Sequence, residues 1–193
     1  MLLKSPTFVI LLFFCVASFG QKKQEQEFRI DKKELPDGVM ALLSNYLDNA
    51  KRLRYYKERD GEKSSYEVKF KKDKLHYSIE FDEKGVLEDV ELLIKQTDIP
   101  NEPFGKMTQY LKSNHNKYRI KKIQRQYVNT GDAAQTLKEA FQNRILPKLR
   151  YELIIATKDE NGYGEFELTF DANGEHLLTR KAVKTKYDHV LFQ

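Results

Sequence analysis

Val39, Leu42, Leu43, Tyr46, Leu47 and Ala50 fall at spacings of three and four residues, which predicts one apolar stripe on a helix of about three turns. Beyond Gly61 the period changes to two. Tyr66, Val68 and Phe70 alternate with Glu67, Lys69 and Lys71, and Leu75, Tyr77, Ile79 and Phe81 alternate with His76, Ser78, Glu80 and Asp82. Such alternation marks strands with one apolar and one polar face. Asp82-Glu83-Lys84-Gly85 reads as a turn, with Gly85 suited to a left-handed backbone position, and Val86 to Ile94 as the strand running back. Links this short make the strands antiparallel neighbours. A helix covers only one sheet face, so the other should stay polar and solvated.

The pattern then recurs. Phe81-Asp82-Glu83-Lys84-Gly85 returns as Phe170-Asp171-Ala172-Asn173-Gly174, an offset of 89 residues at which Tyr77 also matches Phe166 and Ile79 matches Leu168. Tyr46-Leu47 and Tyr110-Leu111 each close an amphipathic segment that is followed by a basic, extended stretch. The second copy has a longer hairpin turn at Lys158-Asp159-Glu160-Asn161-Gly162 and a strand, Tyr151–Ala156, that is apolar on both faces. It also holds an extra helix near 132–146, with Ala134, Leu137, Phe141 and Ile145 at helical spacing. Asp132 is placed to cap that helix and Pro147 to end it.

The two pieces YEVKFKKDKLHYSIEFDEKG and YELIIATKDENGYGEFELTFDANG each carry an aliphatic–aromatic hairpin closed by Phe-Asp-x-x-Gly. In these residues the chain resembles the PepSY-like proteins, also described as β-lactamase-inhibitor-protein-like. These are exported bacterial modules in which a helix packs on a small antiparallel sheet, often in tandem. The resemblance implies a role in binding or inhibiting other proteins, chiefly hydrolases, and brings no set of functional residues with it.

The amino-terminal end adds a compartment. Lys4, the nine apolar residues Phe8 to Val16 and the small residues Ser18 and Gly20 form the three parts of a secretion signal cut before Gln21. The apolar run is too short to cross a bilayer core of about 30 Å as a helix. Cys15 is the one cysteine, and Phe13 and Phe14 stand where a lipoprotein signal needs small residues. Cleavage leaves no thiol, which removes disulfides, thiolate catalysis and cysteine-ligated metals. Residues 21–33 (QKKQEQEFRIDKK) are polar and read as a flexible leader, and 187–193 as a tail. The net charge of +5 is spread among interleaved acids and bases, without the clustered stripe that nucleic acid or a membrane surface calls for.

Candidate chemistry is sparse. His76, His115, His176 and His189 are far apart in sequence and stand in no metal-ligand spacing. His76, Ser78, Glu80 and Asp82 share one strand face, yet no nucleophile elbow or oxyanion loop accompanies them. Asp82-Glu83 with Asp89, and Asp159-Glu160-Asn161-Gly162, offer oxygen ligands without the alternation of a calcium loop, so turn chemistry explains both. No catalytic residue, cofactor or metal site is therefore expected. Most of the twelve Phe and eleven Tyr sit at inward positions. Tyr56, in phase with Arg52 and Arg54, falls instead on the polar face, beside Lys69, His76, Ser78 and Glu80 and bordered by Leu87 and Leu93. Tyr and Arg on a stiff surface are what binding hot spots use, which makes Arg54, Tyr56, Lys69, His76 and Glu80 the expected partner-binding residues.

The expected fold is α+β: two tandem units over 34–98 and 99–186, each a helix packed on an antiparallel sheet of about four strands. The expected function is an exported, periplasmic or extracellular, non-catalytic module that binds a protein or peptide, inhibition included. An envelope structural or small-ligand-binding protein is the alternative, and an enzyme of unrecognised type comes third.

Overall fold

Period-2 patterning produces more strand, and less helix, than two small units require. The computed structural model describes residues 22–23, 25–159 and 162–182. The expected secretion signal, the carboxy-terminal tail and the centre of the turn at 160–161 lie outside them. The strands are β1 (Lys22–Lys23), β2 (Glu25–Ile30), β3 (Lys51–Asp60), β4 (Lys63–Lys72), β5 (Leu75–Asp82), β6 (Leu87–Leu93), β7 (Tyr118–Val128), β8 (Arg150–Asp159), β9 (Gly162–Asp171) and β10 (His176–Ala182). They make one sheet in the order β1-β10-β9-β8-β7-β6-β5-β4-β3-β2. From β2 to β10 it is an antiparallel meander, and only the two-residue β1 pairs in parallel, with β10. Residues 25–30, expected within a flexible leader, are therefore strand β2.

The two-unit architecture is overturned by the pairing of β6 with β7, in register from Asp89 opposite Val128 to Leu93 opposite Gln124. The last strand of the expected first unit and the first of the second are hydrogen-bonded neighbours, and the meander runs through without a boundary. Among the described residues the α-helices are α1 (Val39–Leu43), α2 (Asn101–Asn114) and α3 (Ala133–Phe141). Phe141 of α3 stacks 4.6 Å from Tyr77 of β5 and lies 4.4 Å from Tyr46. A helix from the second half of the sequence thus covers strands from the first. One apolar cluster runs from Val39 through Ile79 and Val90 to Leu153 and Phe170.

Both expected helices are shorter than their apolar spacing predicts. The first gives way after Leu43 to a tight turn, Ser44–Tyr46, where Ser44 Oγ donates to the Ala41 carbonyl at 2.9 Å. Ser and Asn compete with the helical backbone in this manner. Asp132 does cap α3, its Oδ1 accepting from the Gln135 N–H at 2.9 Å. The helix stops at Phe141 rather than near 146, because Asn143 adopts a left-handed conformation (φ 50°).

The two Phe-Asp-x-x-Gly turns match atom for atom. Asp82 Oδ1 accepts from Lys84 N and Val86 N at 2.8 Å, and Asp171 Oδ1 from Asn173 N and Glu175 N at 2.9 and 2.8 Å. Gly85 and Gly174 close them at φ 79° and 82°. Their likeness is local, since both hairpins belong to the same sheet. A Cβ on Gly174 would lie 2.3 Å from the Pro103 carbonyl oxygen at the start of α2. Gly174→Ala should therefore cost about 2–4 kcal/mol, from a left-handed penalty of about 1–2 plus overpacking. Gly61→Ala, equally left-handed but in open space, should cost about 1 kcal/mol in the same urea titration.

Seven strand intervals separate β10 from β3. At about 4.8 Å each, a flat sheet would hold them roughly 34 Å apart. Yet Arg180 Nη1 of β10 lies 3.6 Å from Asp60 Oδ2 of β3. The sheet is curled, and its helix-free face is the inside of the curl.

Candidate functional site

Alternation sends every second side chain of β3 to β10 onto this concave face, and the curl crowds them together. Cross-strand register sets Tyr56, Glu67, Glu80 and Asp89 in one row, and Arg54, Lys69, Ser78, Glu91, Gln126 and Arg150 in the next. The face is polar, as expected, but not freely solvated. Glu67, Glu91, Glu152 and Glu167 are only 3%, 6%, 7% and 2% exposed. Buried carboxylates need a cation, a proton or hydrogen-bond donors, and the face meets that need in two ways.

At the β2–β4 end, Glu27, Glu58 and Glu67 bring carboxylate oxygens within 4.8 Å of one another. The Lys69 ammonium bonds Glu27 and sits 2.6 Å from Glu67, and Ser78 Oγ donates to Glu67. Burial alone would push the Glu67 carboxyl up, but Lys69 and hydrogen bonds involving Glu58, Lys69 and Ser78 outweigh it and bring it down to about 2. Glu27 moves the other way, raised by burial against the pull of Lys69. Glu67 therefore carries the charge that answers the ammonium. Lys69 also stands 4.9 Å over the Tyr56 ring.

Nearer the middle of the sheet, Glu80 of β5 with Asp89 and Glu91 of β6 form a second triad, again within 4.8 Å. Gln126 donates to Asp89 Oδ2 at 3.0 Å and Gln124 donates to Glu91, both from β7. Burial, then the Glu91, Glu152 and Glu88 carboxylates, push the Asp89 carboxyl well above its ordinary range. Asp89 Oδ1 and Gln124 Oε1 are buried and have no hydrogen-bond partner among the described residues. At Glu80 and Asp89 opens a cleft of about 560 Å³, lined also by Gln126, Lys63, Arg150 and Arg180. Lys63 bonds Glu88 at 2.7 Å, and Arg180 Nε donates to Glu167 at 2.9 Å.

All five residues expected to bind a partner belong to the concave face, spread over neighbouring rows of the adjacent strands β3, β4 and β5. Lys69 and Tyr56 touch, Arg54 stands opposite Lys69 across the β3–β4 ladder, His76 lies opposite Lys71, and Glu80 joins the second triad. Leu87, expected to border this surface, is core instead: a register shift after Glu80 sets it opposite Phe81. Ser78 donates to Glu67 rather than to His76, and Asp82 is occupied by its turn. The sequence placed Glu67 on the polar face and offered Asp89 as an oxygen ligand that turn chemistry was expected to explain, but Glu58, Glu91, Gln124, Glu152 and Arg180 were not foreseen. Their signal was the acid or amide at every second position in Glu-Asp-Val-Glu and Gln-Arg-Gln, which alternation alone places on the polar side.

No family model and no curated protein matches the chain. Solved structures do. A DUF2874 family protein from Bacteroides ovatus has a TM-score of 0.54 at 10% identity, over 81% of this chain and 94% of that one. A protein from Bacteroides eggerthii, to which a periplasmic location is ascribed, has a TM-score of 0.50 at 12% identity, over 76% and 88%. A protein from Bacteroides fragilis described as BLIP-like has 0.49 at 13% identity, over 80% and 91%. None of these three is described as PepSY-like. At such identities the likeness is one of fold, and the chain is similar in fold to the DUF2874 proteins.

Proposed function

We propose that the protein is an exported, periplasmic, non-catalytic module that takes a protein or peptide segment on the concave face of its sheet. The contact of Arg180 with Asp60 across seven strand intervals carries this reading, because it makes the polar face a trough rather than a flat wall. Side chains held on a hydrogen-bonded sheet lose little freedom on docking, which favours a partner of complementary shape and charge. The secretion signal expected from the sequence supports export, and the periplasmic location ascribed to the Bacteroides eggerthii neighbour agrees with it. Ser78, tied to Glu67 instead of His76, supports a non-catalytic role. Inhibition of the captured protein is the form that the sequence resemblance implies.

A photo-crosslinking residue at position 56, used in envelope extract, identifies what docks there. Affinity for that purified partner should then fall by about 30-fold or more in Arg54→Ala/Tyr56→Ala, as for hot-spot residues worth about 2 kcal/mol. The thermal midpoint should move little, since Tyr56 contributes one cation–π contact of about 0.5–1 kcal/mol. Undiminished affinity in the double variant would move the site elsewhere, with α3 next to be mutated.

The cleft, lined by Lys63, Arg150 and Arg180 together with Glu80, Asp82, Glu88 and Asp89, favours a second reading, a small zwitterionic ligand. Binding that survives in the double variant and is lost in Arg150→Ala would select it.

A further inference from the structure

The geometry points to Glu80, Asp89 and Glu91 as a binding site for a hard divalent cation, calcium by its size and ligand chemistry. Calcium takes six to eight oxygens at about 2.4 Å, so two ligands on opposite sides of the ion stand up to about 4.8 Å apart. The three carboxylates fall within that span of one another before any ion is bound. They come from paired strands, with Glu80 directly opposite Asp89 in the β5–β6 ladder, so the spacing is held by backbone hydrogen bonds rather than by a loop.

Two unpartnered oxygens argue for an ion, and one of them, on Gln124, lies outside the acidic cluster. Asp89 is 8% exposed and lines the floor of the cleft, yet its Oδ1 has no hydrogen-bond partner among the described residues. Gln124 is 4% exposed; its amide nitrogen is spent on Glu91, and its Oε1 has no such partner either. A buried acceptor without a donor costs about 1–3 kcal/mol, more when charged. A cation meets several such acceptors at once.

The other triad on this face holds a cation of the protein's own among its carboxylates. There the Lys69 ammonium stands among Glu27 and Glu67. Beside the second triad Lys63 bonds Glu88 and also feels the charges of Glu80 and Asp89, Arg180 pairs with Glu167 and Asp60, and Arg150 lines the cleft. The cleft is lined by Glu80 and Asp89, two of the three carboxylates, and supplies an entry path. The ion site stands whether or not the trough takes a polypeptide.

The purified protein, stripped with EDTA, is titrated with calcium chloride in a calorimeter at pH 7.5 and melted with and without the ion. Saturable one-to-one uptake with a Kd of about 10⁻³ M or tighter is expected, with a rise in the melting midpoint. Asp89→Asn, of the same shape, and Glu91→Gln should each weaken binding by at least about tenfold. Glu27→Gln, in the lysine-filled triad, should leave it within about twofold. Without calcium, Asp89→Asn should melt no lower than the unaltered protein, which separates loss of a ligand from loss of the fold. No saturable uptake up to about 10 mM calcium, above the range of extracellular calcium modules, overturns the site. Unchanged affinity in Asp89→Asn overturns it equally.

Discussion

Phe81→Ala and Phe170→Ala should each lower the free energy of unfolding by about 3–5 kcal/mol. Both rings are fully buried on the helix-bearing face. Phe81 sits in register between Tyr66 and Leu87, and Phe170 meets Tyr110 of α2 edge-on at 5.6 Å. Each precedes an Asp-x-x-Gly turn in which the Asp Oδ1 accepts from two of the turn's own N–H groups, so the hairpin cannot easily shift to fill the void. Phe166, matched to Tyr77 in the sequence, is only partly buried, and Phe166→Ala should cost less than either. Because one core and one sheet join both rings, urea unfolding followed by circular dichroism should give a single transition that shifts as a whole in each variant. Two separable transitions, each sensitive to one substitution, would contradict the continuous meander, and neutrality of both would contradict the core assignment.

Lys69→Met should cost about 3–5 kcal/mol at pH 7, the effect of breaking a buried ion pair by removing one partner. The substitution keeps the apolar stem and leaves Glu27, Glu58 and Glu67 facing one another without the ammonium. The sign with pH follows from Glu67. Its carboxyl is depressed from 4.5 to about 2 in the folded protein, so the stability it contributes is present above pH 4.5 and is lost as pH falls toward 2. Lys69 is raised above its ordinary value, so its contribution is fully present throughout the neutral and acid range. In the variant, burial is no longer opposed and favours the protonated acid, so acidification relieves the repulsion. The gap between the two proteins should therefore be widest near pH 7 and shrink below about pH 4.5. Chemical denaturation at pH 7 and pH 4 measures it. A gap that stays constant across that range would show that these carboxylates do not depend on the lysine for their charge.

Strands β4 and β5, the turns at Gly85 and Gly174, and the cap at Asp132 were legible in the residue order, because each depends on side chains within a few positions of one another. Alternation decides which face Tyr77 and Glu80 take whatever lies beyond them, and a glycine at φ 79° answers a turn four residues long. The assignment of Arg54, Tyr56, Lys69, His76 and Glu80 to the helix-free side rests on the same local rule.

Pairing between distant strands obeys no such rule. That β6 meets β7 across the whole of α2, and that Phe141 crosses to cover Tyr77, follows from burying one shared apolar surface, a choice made by the folded chain as a whole. The register shift after Glu80, which turns Leu87 inward, is settled by its neighbours too. So is the curl that brings Arg180 to Asp60 and crowds a solvated face into a partly buried one. Glu80 could be placed on the polar face from its own strand. Its approach to Asp89 and Glu91, and the crowding that leaves Asp89 Oδ1 and Gln124 Oε1 without a donor among the described residues, exist only once the strands are paired and the sheet has bent, because distance between residues on different strands is a property of packing rather than of sequence separation.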